Sequence, residues 1–426
     1  MPFRLTEAQR RVLREIAHDL ARTRPMRRLL QGDVGSGKTV VAALAMALVA
    51  ANRRQAALMA PTELLAEQHA RVLTSYLAPL GVSVGLLTQG VIPSERKRLT
   101  TEITSGRVPV VVGTHALLQS HVTFARLALV IIDEQHKFGV VQRAHLAKKA
   151  AVPDVLVLTA TPIPRTLALS IYGDLAVSTI TELPPGRSPI KTLWLQEAQR
   201  DELYAMIREQ LLQGRQGYIV YPLVEERDTA DLKAATQMAK RLQAWVFPEF
   251  RVGLLHGQMK PKTKEQTMLA FARGELHLLV STVIVEVGLD VPNATIMVIE
   301  HPERFGLAQL HQLRGRIGRG THQAACVLVS DATDEAVRAR LSAFVETTDG
   351  FTLAERDLEL RGPGELLGRR QHGWLRFRIA NLSRDRALLQ SAREEALALI
   401  ARDPDLRDPS LSVLRERLAQ FRQRPG

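Results

Sequence analysis

Cysteine is almost absent from the chain, with Cys326 the single one among 426 residues. One thiol cannot form a disulfide within the chain, and this composition fits a reducing cytosol. We therefore expect a cytoplasmic protein. Cys326 and the twelve histidines show no zinc-binding spacing, so we expect the histidines to be structural or exposed.

Long apolar runs are also missing. A helix that crosses a bilayer needs about 20 apolar residues, and the apolar run Val40–Ala51 is far too short. The chain shows no signal-peptide pattern and no low-complexity tract. We therefore expect no membrane partner.

The chain has fewer acidic than basic residues, with 44 aspartates and glutamates and 57 lysines and arginines. The formal net charge is +13 and the pI is about 10.3. An excess of positive charge is expected of a protein that binds nucleic acid. A generic basic surface would give the same net charge and pI. The length is sufficient for two or three domains.

The sequence GDVGSGKT occupies Gly32–Thr39. Its glycines, Gly32, Gly35 and Gly37, let the backbone turn tightly and direct its N–H groups towards an anion. The apolar run Val40–Ala51 follows and predicts a buried helix. The alternative is a glycine-rich turn without function, and the Lys-Thr pair ahead of a helix argues against it.

The chemistry of this loop is that of phosphate binding. Lys38 lies at the predicted helix start, where the helix dipole also favours phosphate. Its ammonium is expected to reach the β- and γ-phosphates of ATP, and the Thr39 hydroxyl is expected to ligate Mg²⁺. Ser36 lies within the loop, and we count it among the nucleotide-binding residues.

The sequence DEQH follows the apolar run Leu127–Asp133, which predicts a buried parallel strand. Asp133 therefore lies at the carboxyl end of a strand, where α/β proteins bind ligands. We expect Asp133 to hold Mg²⁺ and Glu134 to orient and deprotonate the attacking water. Gln135 and His136 come next and are expected to couple the γ-phosphate to a second lobe.

A third motif, QLRGRIGRG, alternates arginine with glycine over Gln312–Gly320. Alone it would also suit a solvated turn or a contact with a phosphate backbone. Paired with the phosphate loop, it predicts that Arg316 and Arg319 reach the γ-phosphate from across a cleft. Arginine suits this role because its planar fork binds phosphate oxygens bidentately and keeps its charge.

Short apolar runs alternate with helical stretches, which is the pattern of a parallel sheet covered by helices. Four predicted strands precede the turn-rich segment Leu183–Ser188, interpreted as a hinge, and five follow it. No repeat of short period is visible, and we expect the two resulting lobes to be related by fold more than by sequence. The predicted strands are Ala56–Met59, Val108–Val112, Ala128–Ile132, Val155–Leu158, Gly217–Tyr221, Val252–Leu255, Leu276–Val280, Thr295–Val298 and Ala325–Val329.

Helix signals occur in both halves of the chain. One helix is predicted over Ser94–Thr104, with Ser94 as its cap after a proline. The pattern changes after Asp331, where helical stretches flank a glycine-rich loop and predict either a packing subdomain or a functional one. The helical stretches there are Glu335–Glu346, Thr352–Leu358, Arg384–Arg402 and Ser410–Arg422.

As a set, these motifs resemble superfamily 2 helicases. DEQH, ERFGLAQLHQLRGR (Glu303–Arg316) and DLELRGPGELLGRRQHG (Asp357–Gly373) are similar to the RecG family, bacterial DNA translocases that remodel stalled replication forks. The resemblance extends from Pro2 to about Asn381. The other motifs that carry it are LTEAQ (Leu5–Gln9), APTELLAEQH (Ala60–His69), GTHAL (Gly113–Leu117), TATPIPRTLAL (Thr159–Leu169) and STVIVEVGLDVP (Ser281–Pro292).

The resemblance implies an α/β fold of two RecA-like parallel-sheet lobes with the nucleotide cleft between them. The first lobe would cover residues 1–185 and the second 186–345, followed by a helical and loop translocation subdomain over 346–426. It also implies ATP and Mg²⁺ as cofactors. The activity would be an ATP-dependent helicase or translocase that acts on double-stranded and branched DNA, including stalled forks and Holliday junctions, as a monomer.

Further roles follow from the resemblance residue by residue. Gln9 would contact the adenine, and Asp290 would approach the nucleotide from the second lobe. Thr159 and Thr161 would relay the nucleotide state to the grip on DNA. Contacts with the DNA are assigned to Thr62, Thr114 and Thr282, which would touch the phosphate backbone, and to Arg361 and Gln371 of the translocation motif.

The sequence departs from the family pattern at two motif positions. Lys137 replaces the usual arginine, which weakens a stacked or bidentate contact. Val283 replaces a threonine, so one hydroxyl is missing. Relatives of this kind also carry an N-terminal wedge domain with an OB fold that grips the fork, and only some 30 residues precede the phosphate loop here. We therefore expect this chain, whether a truncated or a natural short form, to discriminate forks poorly.

Two alternatives stay open. One is a transcription-repair coupling translocase of the Mfd type, which shares the loop at Arg361–Gly373. Gln135 and the RGPG sequence favour the RecG type, because Mfd-like proteins usually have Glu and RGAG there. The other is a catalytically silent DNA-binding module, against which the intact Lys38, Glu134 and Arg316 argue.

Overall fold

The computed structural model describes residues 3–134, 153–161, 175–182, 184, 189–222, 229–282, 291–361 and 384–422. The chain forms two compact units. The first contains Met1–Pro162 and Ala176–Leu353, and the second contains Ile163–Leu175 and Ala354–Gly426. No helix within these described residues is long and apolar enough to cross a membrane.

The first unit holds two sheets, and the first lobe contains a seven-stranded one. Its strands are β1 (Arg27–Gly32), β2 (Gln55–Met59), β3 (Val84–Leu87), β4 (Val110–Gly113), β5 (Leu127–Asp133), β6 (Asp154–Thr159) and β7 (Ala176–Ile180). The order across the sheet is β3-β4-β2-β5-β6-β1-β7. Every neighbouring pair is parallel, so the carboxyl ends of all seven strands lie along one edge.

Helices cover this sheet and bury its strands. Along β2 and β4 every residue is buried, as expected for parallel strands that are covered on both faces. The small side chains of the second helix, mostly alanine and valine, pack closely on the sheet. The described helices of this lobe are α1 (Glu7–Leu20), α2 (Lys38–Ala51), α3 (Glu63–Leu77) and α4 (Pro93–Thr104).

The second lobe contains a six-stranded parallel sheet. Its strands are β8 (Lys191–Leu195), β9 (Gln216–Val220), β10 (Val252–Leu255), β11 (Leu278–Ser281), β12 (Ala294–Glu300) and β13 (Ala325–Val329). Their order is β10-β11-β9-β12-β13-β8, which repeats the order of the first sheet without β7. The described helices are α5 (Arg200–Leu212), α6 (Thr229–Arg241), α7 (Pro261–Ala272), α8 (Leu307–Arg314) and α9 (Glu335–Glu346).

Three further helices lie towards the end of the chain. They are α10 (Gly350–Arg361), α11 (Arg386–Arg402) and α12 (Ser412–Arg422). Asp349 opens α10, where its carboxylate accepts from the backbone N–H of Phe351 and Thr352. Within the second unit, Arg393 donates to the carbonyl oxygen of Leu175 at 2.7 Å.

The predicted fold class, two parallel α/β lobes followed by helices, is confirmed. All nine predicted strands are present, with small shifts at their ends, while β1, β3, β7 and β8 were not predicted. The prediction that Ser94 caps its helix was wrong, because Ile92 is the cap and Pro93 is the first helical residue. Proline suits that position because the N–H that it lacks would have no partner within the helix. The predicted hinge lies outside the described residues except for Pro184.

One segment is repeated between the lobes. Residues 84–114 and 252–282 align without a gap, with VGLL at the start of both. Each segment runs from an edge strand through a helix that begins with proline to the next strand, and each has a left-handed glycine after the helix, Gly106 with φ 75° and Gly274 with φ 77°. The expectation that the lobes are related by fold more than by sequence still stands, because most positions of the two segments differ while their elements correspond. The two segments end at Thr114 and Thr282.

Candidate active site

The phosphate loop Gly32–Thr39 connects β1 to α2. Gly35 and Gly37 have left-handed φ values of 80° and 88°, which glycine adopts as readily as negative ones. Gly32 is needed for space instead, because a Cβ there would lie 2.6 Å from Oγ of Ser36. Gly35 and Gly37 are therefore required by the backbone conformation of the loop, and Gly32 is required by the lack of space for a side chain.

Lys38 is the first residue of α2, and its ammonium lies within the loop. Its Nζ donates to the carbonyl oxygens of Gly32 and Asp33, both at 2.8 Å. Removal from water lowers the pKa of Lys38 to about 8, although the negative charges of Glu134 and Asp133 favour the charged form. A phosphate bound at this place would favour the charged form further.

The donors at this loop fit a triphosphate with Mg²⁺. The Oγ of Ser36 is buried and has no hydrogen-bond partner among the described residues, and such an unsatisfied hydroxyl costs free energy that a ligand oxygen would recover. Thr39 lies in the first turn of α2, and Asp133 ends β5. Their hydroxyl and carboxylate oxygens are of the kind that Mg²⁺ prefers.

Gln9 holds the phosphate loop from outside. Its Nε2 donates to the carbonyl oxygen of Ser36 at 2.8 Å, and its Oε1 accepts from the backbone N–H of Thr6 at 3.0 Å. Both ends of the amide are therefore engaged by the protein. The contact of Gln9 with adenine stays a prediction, and the structure adds a role in positioning the loop that the sequence did not reveal.

Asp133 is paired with a histidine that the sequence reasoning missed. His69 on α3 is buried, and its Nε2 lies 2.7 Å from Oδ2 of Asp133. Burial raises the pKa of Asp133, but the His69 contact and the nearby Lys38 ammonium outweigh it and hold that pKa below its usual value. The carboxylate therefore stays ionised, as a metal ligand requires.

Glu134 has an unusual backbone. Its φ is 51°, a left-handed conformation that is sparsely populated by residues other than glycine and that costs about 1–3 kcal/mol. Its backbone N–H donates to Oδ1 of Asp133 at 3.1 Å. Strain of this kind is concentrated at functional sites, and it places Glu134 directly beyond the end of β5.

The two arginines lie in the loop that follows α8. Burial and the charge of Arg319 lower the pKa of Arg316 to about 10, while the carboxylates of Glu134 and Asp133 act in the opposite sense. The charge of Arg319 in turn disfavours the ammonium of Lys38. The structure therefore brings the predicted arginines of the second lobe near the predicted lysine and carboxylates of the first.

Close contacts between the lobes accompany this arrangement. A Cβ on Gly315 would lie 2.8 Å from Cβ of Val34 in the phosphate loop. Gln312 donates from Nε2 to Oγ1 of Thr161 at 2.7 Å, and the N–H of Thr161 donates to Oγ1 of Thr159 at 3.1 Å. The two threonines predicted to relay the nucleotide state are thus joined to the arginine motif.

The three threonines predicted to contact DNA differ in their surroundings. Thr62 caps α3, where its Oγ1 accepts from the N–H of Leu65 at 3.3 Å. Thr114 and Thr282 are 1% and 2% exposed, and their hydroxyl oxygens have no hydrogen-bond partner among the described residues. Thr62 therefore has a structural role in this state, whereas Thr114 and Thr282 have capacity for a ligand.

Several predicted residues lie beyond what the structure describes. His136, Asp290 and Gln371 are outside the described residues, as are the departures at Lys137 and Val283. Arg361 is the last residue of α10, but its side chain is not described. The roles given to these residues stay predictions.

Three family profiles match successive parts of the chain. The first is DEAD/DEAH box helicase over residues 6–169, and the second is helicase conserved C-terminal domain over residues 200–321. The third is ATP-dependent DNA helicase RecG, domain 3, C-terminal, over residues 347–425. Together they cover both lobes and the helices that follow.

Individual relatives carry the same name. The chain is 51% identical over 414 residues to ATP-dependent DNA helicase RecG of Synechocystis sp., covering 97% of this chain and 50% of that protein. It is 49% identical over 418 residues to ATP-dependent DNA helicase RecG of Bacillus subtilis, covering 98% of this chain and 61% of the relative. The chain thus spans between half and about three-fifths of the length of these relatives.

A solved structure shows the same fold. The structure of RecG bound to a three-way DNA junction matches with a TM-score of 0.79 and 46% identity. The match covers 92% of this chain and 51% of that one.

Proposed function

Because the chain belongs to the RecG family by sequence and by fold, we propose that it is the ATP-driven motor of a double-stranded DNA translocase. Its proposed substrates are branched DNAs, such as stalled replication forks and Holliday junctions, that arise in recombination and repair. One observation carries the proposal: the arginine motif of the second lobe packs against the first, since a Cβ on Gly315 would lie 2.8 Å from Cβ of Val34 in the phosphate loop and Gln312 donates to Oγ1 of Thr161. Carboxylates that face arginines beside a phosphate loop form the arrangement of a nucleotide-hydrolysing site.

We propose the following division of labour for hydrolysis. Lys38 binds the β- and γ-phosphates, and Glu134 orients the attacking water and accepts its proton. Arg316 and Arg319 stabilise the charge that develops on the transferred phosphate. Their approach from the second lobe makes the rate depend on how the lobes are placed.

Thr39 and Asp133 are the proposed ligands of Mg²⁺, which when bound neutralises negative charge on the phosphates. The role of Asp133 is supported by its lowered pKa, which keeps both oxygens unprotonated. His69 holds one of these oxygens at 2.7 Å and so limits the directions in which the carboxylate can point. We propose that this contact orients the ligand, as is common around metal sites.

The proposed DNA contacts are supported by the two buried hydroxyls. Thr114 and Thr282 end equivalent segments of the two lobes, and each has an oxygen without a partner among the described residues. Both follow a strand at the carboxyl edge of its sheet. A hydroxyl at such a place can bind a phosphate oxygen without reading the base sequence.

Translocation is assigned to Arg361 and Gln371, with support from the profile match over residues 347–425. The chain is proposed to act as a monomer, since a single chain supplies both the phosphate loop and the two arginines. No second copy is needed to complete the site. The sequence features of the RecG type and these matches leave no observation that favours the Mfd-type alternative.

ATP hydrolysis with and without DNA tests the proposed function. We expect slow hydrolysis by the chain alone, faster hydrolysis with linear duplex, and little further gain with a three-way junction of equal base-pair number. Stimulation should fall steeply with salt, because phosphate contacts release counterions. The measurement is the steady-state rate against DNA concentration at two salt concentrations.

Two outcomes would change this picture. Failure to hydrolyse ATP with any DNA would rule out the motor. A strong preference for the junction over linear duplex would show that junction recognition resides within these 426 residues, in disagreement with the expectation from the sequence.

The two threonine contacts can be tested separately from hydrolysis. Thr114→Val or Thr282→Val removes a hydroxyl and keeps the shape, and each should weaken duplex binding about three- to tenfold, the value of one hydrogen bond. Fluorescence anisotropy with labelled duplex at fixed salt measures the change. Thr101→Val is the matched control, because Thr101 is exposed and its hydroxyl donates to the backbone of its own helix.

Equal DNA affinity in Thr114→Val, Thr282→Val and Thr101→Val would contradict the assignment. The buried hydroxyls would then have only a local role. Thermal unfolding of all three variants separates a loss of contact from a loss of fold.

A further inference from the structure

Helix α8 contacts the phosphate loop through a histidine. His311, which is 4% exposed, lies on the second lobe, and its Nε2 is hydrogen-bonded to Oδ1 of Asp33 in the first. The contact joins residues that are far apart in the sequence. It is separate from the carboxylates and arginines to which the chemistry has been assigned.

The direction of this hydrogen bond follows from the other ring nitrogen. Nη2 of Arg314 lies 3.0 Å from Nδ1 of His311. A guanidinium has only donors, so Nδ1 must accept. The ring proton is therefore on Nε2, which donates to Asp33.

Arg314 is itself fixed within the second lobe. Its Nη1 donates to the carbonyl oxygens of Phe344 at 3.0 Å and Thr347 at 2.9 Å, and to Oγ1 of Thr192 at 3.3 Å. Its Cζ lies 4.3 Å from the centre of the Phe344 ring. With 2% of its surface exposed, Arg314 is a rigid anchor for the imidazole.

Asp33 is fixed at the other end. Its Oδ1 also accepts from the N–H of Val34 at 2.8 Å, and its carbonyl oxygen accepts from Nζ of Lys38 at 2.8 Å. Burial raises the pKa of Asp33, but the hydrogen bonds from His311 and from the backbone N–H of Val34 outweigh it and keep that pKa low. The aspartate therefore belongs to the frame that holds the phosphate-binding lysine.

We propose that His311 is a positioning residue that sets the placement of Arg316 and Arg319 relative to the phosphate loop by linking Asp33 to Arg314. The inference rests on the proposed ATP hydrolysis. His311 touches neither reacting group in this scheme. It acts because Arg314 ends α8 and the loop with both arginines starts directly after it.

Two substitutions test the contact of His311 with Asp33 and its contact with Arg314 separately. In His311→Asn the amide oxygen can still accept from Arg314, but the side chain is too short to reach Asp33. In His311→Gln the amide N–H can still reach Asp33, while the acceptor for Arg314 is lost. Asp33→Ala removes the far end of the link, and His322→Asn changes an exposed histidine of the second lobe as the control.

We expect His311→Asn and Asp33→Ala each to lower kcat about tenfold, which corresponds to one charge-assisted hydrogen bond. The affinity for a fluorescent ATP analogue should change far less in both. His311→Gln still ties α8 to Asp33 and loses only the anchor at Arg314, so its kcat should fall by no more than about threefold. The double variant Asp33→Ala/His311→Asn should be no slower than either single one, because both changes break the same link.

The outcomes distinguish this inference from the proposed function. A native chain that does not hydrolyse ATP overturns both. A native chain that hydrolyses ATP, with His311→Asn at native kcat or with fully additive losses in the double variant, overturns only the positioning role. Thermal unfolding of each variant identifies loss of fold, and in that case the comparison of His311→Gln with His311→Asn decides.

Discussion

Glu134→Gln should stop ATP hydrolysis and leave ATP binding intact. Glutamine keeps the size and shape of the side chain but cannot accept the proton of the attacking water. A general base contributes about 10²- to 10⁴-fold to a rate, so kcat should fall by about that factor. Single-turnover hydrolysis and binding of a fluorescent ATP analogue measure the two properties separately.

Lys38→Ala is the companion to this experiment. The lysine contacts the phosphates before and during the reaction, so its loss should abolish binding together with turnover. Binding that falls in Lys38→Ala and stays in Glu134→Gln assigns the two residues to different steps. Undiminished hydrolysis in Glu134→Gln would show that another group is the base.

The left-handed backbone of Glu134 provides a control for damage to the fold. Glycine adopts a φ of 51° without strain, so Glu134→Gly should unfold at the same temperature as the native chain or higher. It should nevertheless be as inactive as Glu134→Gln. A variant that is stable and inactive shows that the loss of hydrolysis comes from the missing carboxylate and not from damage to the fold.

Arg316→Ala combined with Arg319→Ala should lower kcat far more than ATP affinity. An arginine finger contributes about 10³- to 10⁵-fold in other nucleotide hydrolases, and each single change should cost less because the two share the developing charge. Steady-state kinetics of both single variants and the double variant measure the effect. A double variant that hydrolyses ATP like the native chain would place the arginines elsewhere.

The control for this experiment must remove the same charge from the same lobe. Arg273→Ala with Arg338→Ala does so, since both residues are exposed and lie outside the site. Its kcat should be close to native. Comparing its DNA affinity with that of the Arg316→Ala/Arg319→Ala variant separates a general loss of positive charge from a loss of catalysis.

Local sequence patterns were sufficient for the strands that are apolar along their length, such as β5 and β13. They were insufficient for β1, which begins with two arginines. Arg28 is buried there because Glu15 and Asp19 of α1 accept from its guanidinium. These partners come from a different element of the fold. A prediction from local hydrophobicity therefore takes the charged residues as a sign that the segment is exposed.

The same limit applies to the site. Lys38, Asp133, Glu134, Arg316 and Arg319 could be predicted because each lies in a short motif whose chemistry is evident from a few neighbours. His69 and His311 could not, because each acts through a partner that is distant along the chain. Both histidines do lie inside motifs, and the acidic residues they meet belong to motifs as well. The presence of a histidine in one motif and an acidic residue in another was the only sign in the sequence that the two could pair.

The repeated segment has a consequence for the direction of movement. Thr114 and Thr282 occupy the same place in two copies of one arrangement, so the two proposed contacts with DNA are equivalent in position. Two equivalent contacts do not by themselves determine which of them is released first. The asymmetry in this chain is chemical, since the first lobe carries the phosphate loop and the second carries the arginines. The direction of movement along DNA must therefore depend on which of the two contacts ATP hydrolysis releases first.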